Sequence, residues 1–202
     1  MRQVAIVGQS LSTHDLAPFE DPEWESWGLP WDRGFWVHYD RMFEMHDRGL
    51  LEKPEAKRDG DYFEKLQDAW VPIYMQKAWP DIPTSVEFPV EALLQTVFHN
   101  FPRGDWTQHQ KDWYNSSPAY AIALAIHEDV DRIGLWGIDC PKTNEADYTY
   151  QLPNLNWLLG FAAGRGIDIY VPEGPTELLK HQGEGIPLGD MYPIYPERYG
   201  FI

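Results

Sequence analysis

Asn115-Ser116-Ser117-Pro118-Ala119-Tyr120 leads through the Ala-rich run Ala121-Ile122-Ala123-Leu124-Ala125-Ile126-His127 into Arg132-Ile133-Gly134-Leu135-Trp136-Gly137-Ile138-Asp139, and the reading of this stretch decides the fold. It predicts a helix over 117–127 that begins on a polar cap, with Ser117 as the cap and Pro118 in the first helical position, where a missing N–H costs nothing. The small residues of this helix suit close packing against a sheet. A buried strand over 132–138 follows and ends in a carboxylate, Asp139. Helix N-termini attract anions because their first N–H groups have no partner within the helix. Open α/β sheets bind ligands beyond the carboxyl ends of their strands. Both features of this stretch therefore point to one edge of one sheet.

The same alternation extends outward. Gln3-Val4-Ala5-Ile6-Val7-Gly8 is short, apolar and rich in β-branched residues, as a strand buried on both faces should be. Strands are also expected over 24–29, near Arg41–Met45, over 71–75 and over 167–171, with an extended, Pro-bounded segment at 82–89. Tyr62, Phe63, Leu66, Ala69 and Trp70 recur at helical spacing, and 90–98 reads as a helix. Residues 99–114 and 141–149 read as polar loops. A helix is expected over 152–163 with Pro153 in its first turn, and a short one over 176–180. Strands alternating with helices imply βαβ units and parallel pairing. The expected class is α/β, a single-domain Rossmann-like three-layer sandwich with a mainly parallel sheet over residues 1–180. Residues 181–202 would be an irregular aromatic tail, which could pack on a second copy of the chain. Right-handed crossovers would then bring the Gly8-Gln9-Ser10 turn, His46, Asp139 and Glu173 to one edge.

Composition narrows the functional classes. A net charge of −16 argues against a broad nucleic-acid surface, since phosphate backbones are held mainly by Lys and Arg, and no basic cluster interrupts it. It favours a small ligand reached through backbone N–H groups. Aromatic residues make up 15% of the chain, too many for a disordered sequence. Mean hydropathy is −0.50 and no apolar run is long enough to span a bilayer. The start of the chain lacks the pattern of a secretory signal, so a cytoplasmic location is expected. The single cysteine, Cys140, excludes an internal disulfide framework and a multi-Cys metal site.

Several residues could carry chemistry, each with a plainer alternative. Gly8, Gln9 and Ser10 form a post-strand turn that could meet a phosphate or simply reverse the chain. Ser116 and Ser117 could contact a ligand as well as cap a helix. Asp139 could orient a ligand, cap the next turn or pair with Lys142. His46 ends an apolar run and could transfer protons, because imidazole titrates near neutrality; it could equally be a satisfied strand-end residue. Tyr148, Tyr150 and Gln151 could stack on a base or donate to a phosphate, and Asn154 in the following helix is a further candidate. His38 and His46 do not have metal-ligand spacing. His109, Trp106 and Trp113 lie in the 99–114 segment and could cover a ligand or face solvent.

Val4-Ala5-Ile6-Val7-Gly8-Gln9-Ser10-Leu11 resembles the opening strand and turn of the bacterial sialyltransferases and of the hydroxymethylpterin diphosphokinase-like proteins. Ser116-Ser117-Pro118-Ala119-Tyr120 with Ile133-Gly134-Leu135-Trp136-Gly137-Ile138-Asp139 resembles a second motif block of that superfamily. Asp147-Tyr148-Thr149-Tyr150-Gln151 and Gly166-Ile167-Asp168-Ile169-Tyr170 are similar to small phage-encoded members, which would place the protein in a host-cell cytoplasm. The resemblance implies a nucleotide ligand at the Gly8–Ser10 turn and the Ser116-Ser117 cap, with Tyr120 and Gly137 in the matching block. It implies a nucleotide-dependent transferase of glycosyltransferase type using a nucleotide sugar. One alternative is a phage-type protein that sequesters a nucleotide or nucleotide-derived signal without turnover. Another is ATP-dependent diphosphate transfer, for which Asp139 would suit a divalent cation, although the sequence implies none. Two departures stand out. Gln9-Ser10-Leu11 replaces the second glycine and the proline of the family turn, and no histidine clearly matches the family's C-terminal base, His181 being nearest by order.

Overall fold

The computed structural model describes residues 1–30, 39–52, 62–98, 115–141 and 146–179, without the side chains of Phe98 and of 146–150. They form one seven-stranded sheet in which every pairing is parallel. The strands are β1 (Gln3–Val7), β2 (Trp24–Gly28), β3 (Arg41–Glu44), β4 (Ile73–Met75), β5 (Ser85–Glu87), β6 (Arg132–Trp136) and β7 (Asp168–Tyr170), ordered β5-β4-β3-β2-β1-β6-β7. The chain builds outward from β1 to β5 on one side, then crosses back to lay β6 on the other side of β1. The order therefore reverses between β1 and β6. The expected Rossmann-like α/β class is what the structure shows.

The period-two pattern of the central strands fixes two cores. Val4, Ile6, Ile133 and Leu135 point to one face, Ala5, Val7 and Trp136 to the other. The first face carries α3 (Val90–Phe98), α4 (Ser117–His127) and α5 (Ala146–Gly164), whose Leu93, Ile122, Ile126, Leu155 and Leu158 are fully buried. Helix α4 is buried on nearly every side, as its all-apolar composition requires. The second face is thinner. Two short helices, α1 (Arg48–Leu51) and α2 (Tyr62–Gln67), cover β3 and β4 with Leu51, Tyr62 and Leu66. Beyond them Trp136 folds over Gly134 and meets Trp24 edge-on, ring centroids 5.2 Å apart.

Two expected elements are placed differently. The polar loop over 141–149 is helical from Ala146 onward, so α5 starts six residues early and Pro153 lies in its interior, not its first turn. Proline in a helix interior removes one hydrogen bond at a cost of about 3 kcal/mol. Burial of Leu152, Leu155, Leu158, Leu159 and Ala162 outweighs that loss. No helix forms over Thr176–Leu179; Thr176 instead donates its hydroxyl to the Ile138 carbonyl at 2.7 Å, which ties the segment down as an irregular strap. The turn after β1 is followed by a three-residue 3-10 helix (His14–Leu16). The 99–114 loop, with Trp106, His109 and Trp113, lies outside the described residues, as do His38, Lys142, His181 and the 181–202 tail.

The two edges of the sheet differ in kind. At the amino edge Arg2 bonds Glu25 and Glu128 at 2.6 and 2.5 Å, and Arg41 bonds Glu128 at 2.6 Å while lying 4.8 Å over the Trp27 ring. Charge pairs close that edge. At the carboxyl edge the chain turns of β1 and β6 meet backbone to backbone. Gly8 N–H donates to Trp136 O at 2.8 Å, and Ser10 N–H to Gly137 O at 2.9 Å. A Cβ on Gly137 would stand 2.4 Å from Gly8 O, and Gly137 has φ +63°. Any side chain there is both strained and blocked. Gly137→Ala is expected to lower the unfolding free energy by more than about 2 kcal/mol in urea titration. A loss below about 0.5 kcal/mol would contradict this reading of the turn.

Candidate functional site

Beyond the carboxyl edge, at the β1/β6 reversal, lies an open cleft of about 650 Å³, within the usual size range of small-ligand pockets. Its floor is the Gly8-Gln9-Ser10 turn and Gly137; its walls carry His46 at one end and Asp139 with Cys140 at the other. Asn115, Ser116, Ser117 and Tyr120 at the start of α4 overhang it, and Gln151 of α5 closes one side. Segments far apart in sequence therefore meet here, including most of the residues singled out from the sequence alone.

Each is held by local chemistry. Ser116, not Ser117, is the N-cap of α4: its φ and ψ are extended and its hydroxyl accepts from Ala119 N–H at 3.4 Å. Ser117 becomes the first helical residue and Pro118 the second. Proline needs no acceptor at either position, so the sequence pattern fits both registers. Asp139 accepts from the Ser12 hydroxyl at 2.7 Å, and Gly137 N–H donates to the Thr13 hydroxyl at 2.8 Å. The connection after β1 thus braces the end of β6. Gln9 donates its side-chain amide to the Pro30 carbonyl, linking the turns after β1 and β2. With Gly8 N–H and Ser10 N–H already given to β6, this turn serves mainly as a rigid floor.

Burial and the nearby Asp139 charge push the Cys140 thiol up to about 11. It stays a thiol at neutral pH and matches the buried strand-end role read from the sequence. Burial also raises the Tyr120 phenol, which packs edge-on against Phe88, ring centroids 4.9 Å apart.

The sequence reading missed the groups around His46. The imidazole Nδ1 lies 2.6 Å from Glu44 Oε1, and His46 N–H donates to the same oxygen at 3.0 Å. Tyr62 donates its hydroxyl to the other Glu44 oxygen. Glu44 is 1% exposed. The signal was present: a glutamate within Met42-Phe43-Glu44-Met45 must be partnered once that strand is buried, and strand alternation puts Glu44 and His46 on the same side. The hydrogen bond that His46 donates to Glu44 raises its value above the ordinary one against the opposing pull of burial, and the Glu44 charge adds to the rise.

Two candidates fall elsewhere. Asn154 lies on α5 and does not line the cleft, because it sits about one turn beyond Gln151, past the segment that reaches the edge. Glu173 is exposed and does not line it either. Tyr148 and Tyr150 have their backbone in α5, and their side chains lie outside the described residues. Among the described residues no three His, Cys, Asp or Glu side chains gather so as to hold a metal ion, and no helix is long and apolar enough to cross a membrane.

No protein-family model and no curated protein sequence matches this chain. Two solved structures similar to it are of the sialyltransferase CstII from Campylobacter jejuni. One, in complex with the substrate analogue CMP-3FNeuAc, has 16% identity and a TM-score of 0.44 over 89% of this chain and 86% of that one. The other, with cytidine-5'-monophosphate, has 15% identity and a TM-score of 0.42 over 90% and 86%. Likeness at this level identifies neither a family nor a chemistry.

Two consequences follow from the geometry. Ser116→Ala is expected to cost about 0.5–1 kcal/mol of stability and Ser117→Ala only a few tenths, read from urea midpoints. The reverse order would move the cap to Ser117. The folded-state value of His46 is raised, so its pairing with Glu44 contributes fully below the ordinary value of 6.5 and is lost as pH rises through the raised value. The stability gap between the wild type and His46→Asn should therefore shrink from about pH 6 to about pH 8; a gap that widens over that range would contradict the pairing.

Proposed function

We propose that this protein is a nucleotide-dependent transferase of glycosyltransferase type that takes a nucleotide sugar. One observation carries the proposal: the N-terminus of α4, with Ser116 and Ser117, overhangs a cleft at the β1/β6 reversal that also holds His46 and Asp139. Three strand spacings of about 4.8 Å put the turns after β3 and β6 about 14 Å apart along the edge, so His46 and Asp139 serve different parts of a ligand. The phosphate belongs beneath the α4 N-terminus on the His46 side, and the base or sugar toward Asp139 and Gln151. The resemblance of the Ser116–Tyr120 and Ile133–Asp139 motifs to the sialyltransferase superfamily supports a nucleotide sugar as donor.

In such a transfer an acceptor hydroxyl attacks the anomeric carbon, the bond from that carbon to the phosphate oxygen breaks, and the acceptor proton must leave. The chain's share is to hold donor and acceptor together and to stabilise charge on the departing phosphate. Ser117 is the residue assigned to donate to that phosphate. His46 is the proton-transfer group of the cleft. Asp139, fixed by Ser12, orients hydroxyls or the base edge at the far end.

Asp139→Asn tests the assignment, because asparagine can still accept from Ser12 and should leave the melting temperature within about 2 °C. Incubation of wild type and variant with nucleotide sugars and nucleotides, read by mass spectrometry and thermal shift, should show nucleoside phosphate release by the wild type and at least a tenfold loss in the variant. A thermal shift without product would make the protein a binder that sequesters its nucleotide. Magnesium-dependent AMP release from ATP would make it a diphosphate transferase. A variant with full activity would remove Asp139 from the site.

A further inference from the structure

Among the described residues that line the cleft none is Lys or Arg, and Asp139 adds a carboxylate, within a chain of net charge −16. The described lining therefore offers an anionic ligand little side-chain cationic charge, and one helix terminus supplies only about half a charge. His46 is the one described lining side chain able to carry positive charge. Its partners are arranged for that form. Glu44 is buried and accepts from His46 Nδ1, from His46 N–H and from Tyr62. This arrangement orients the ring and places a carboxylate against its inner nitrogen. His46 itself is partly exposed, with 35% of its side chain accessible at the cleft wall.

We propose that Glu44, braced by Tyr62, is a positioning residue that holds His46 as an imidazolium, and that this cation docks the phosphate of the ligand. The inference rests on the nucleotide reading above and replaces the proton-transfer role given there to His46: the ring enters the reaction protonated, as the partner of the departing phosphate, and the proton of the acceptor hydroxyl passes to solvent water. The direction in which Glu44 shifts the imidazole agrees with this role. Among the described residues, the titratable and charged groups around His46 are Glu44, Asp47 and Arg48 on its own segment, Tyr62 from α2, Tyr120 from α4 in the same cleft, and Asp139 and Cys140 at its far end. Asp47 is engaged as the N-cap of α1, where it accepts from Gly49 N–H at 2.7 Å.

The test follows the His46 ring by NMR between about pH 5 and 9, with inorganic sulfate as a dianion of constant charge and cytidine monophosphate as the nucleotide probe. In the wild type the ring should titrate above its ordinary value. Sulfate should perturb the His46 resonances, and its affinity should fall at least fivefold as the ring deprotonates. Glu44→Gln preserves shape but removes the charge; it should lower the titration midpoint and weaken sulfate at least fivefold at pH 7. A wild-type ring that titrates at or below its ordinary value overturns the proposal without need of any variant. If sulfate engages His46 but cytidine monophosphate does not bind, this proposal stands and the nucleotide reading falls. If cytidine monophosphate binds with no effect at His46 and no dependence on its charge, the nucleotide reading stands and this proposal falls.

Discussion

The close approach of Gly8 and Gly137 is the constraint on which the carboxyl edge depends. Two strands neighbouring in the sheet but more than a hundred residues apart in sequence end in turns whose backbones hydrogen-bond directly. Neither position leaves room for a Cβ: one on Gly8 would meet Gly137 O at 2.5 Å, and one on Gly137 would meet Gly8 O at 2.4 Å. That contact fixes where β6 ends relative to β1. It sets the register of Asp139 against Ser12, and it fills the space between the strands so that the cleft opens above the turns and not between them. The N-terminus of α4 reaches the same edge because α4 runs back across the sheet before feeding β6 from the opposite end.

The chemistry at the two ends of the sheet divides the work. At the amino edge, guanidinium groups of Arg2 and Arg41 are shared among Glu25 and Glu128, and their charges are spent on one another. Among the described residues that line the cleft at the carboxyl edge, the charged groups are few and set apart. Asp139 is tied by a neutral hydroxyl, and His46 by a buried carboxylate. Groups arranged in this way keep electrostatic capacity for a ligand, whereas a saturated ion-pair network does not.

Much of this was legible in the sequence where one local rule acted alone. The two-sided apolar run at Val4–Val7, the Ala-rich helix over 117–127 and the strand leading to Asp139 were readable because period, propensity and punctuation agreed. Legibility failed where local and tertiary rules competed. Pro153 reads as a helix start, yet the leucines after it hold α5 straight through the proline. Ser117 reads as a cap as well as Ser116 does, and only backbone angles separate them. Glu44 was passed over because a carboxylate inside an apolar run looks like a surface residue until its partners, His46 and Tyr62, are seen. Asn154 was one helical turn too far along to face the cleft, a distinction that depends on where α5 begins.

A crystal structure grown with cytidine monophosphate tests the central claim most directly. The account predicts the phosphate beneath the α4 N-terminus, within hydrogen-bonding reach of Ser117 and close to His46, with the nucleoside lying along the edge toward Asp139. A nucleotide bound away from the β1/β6 reversal, or a cleft filled by the protein's own apolar side chains, would contradict it.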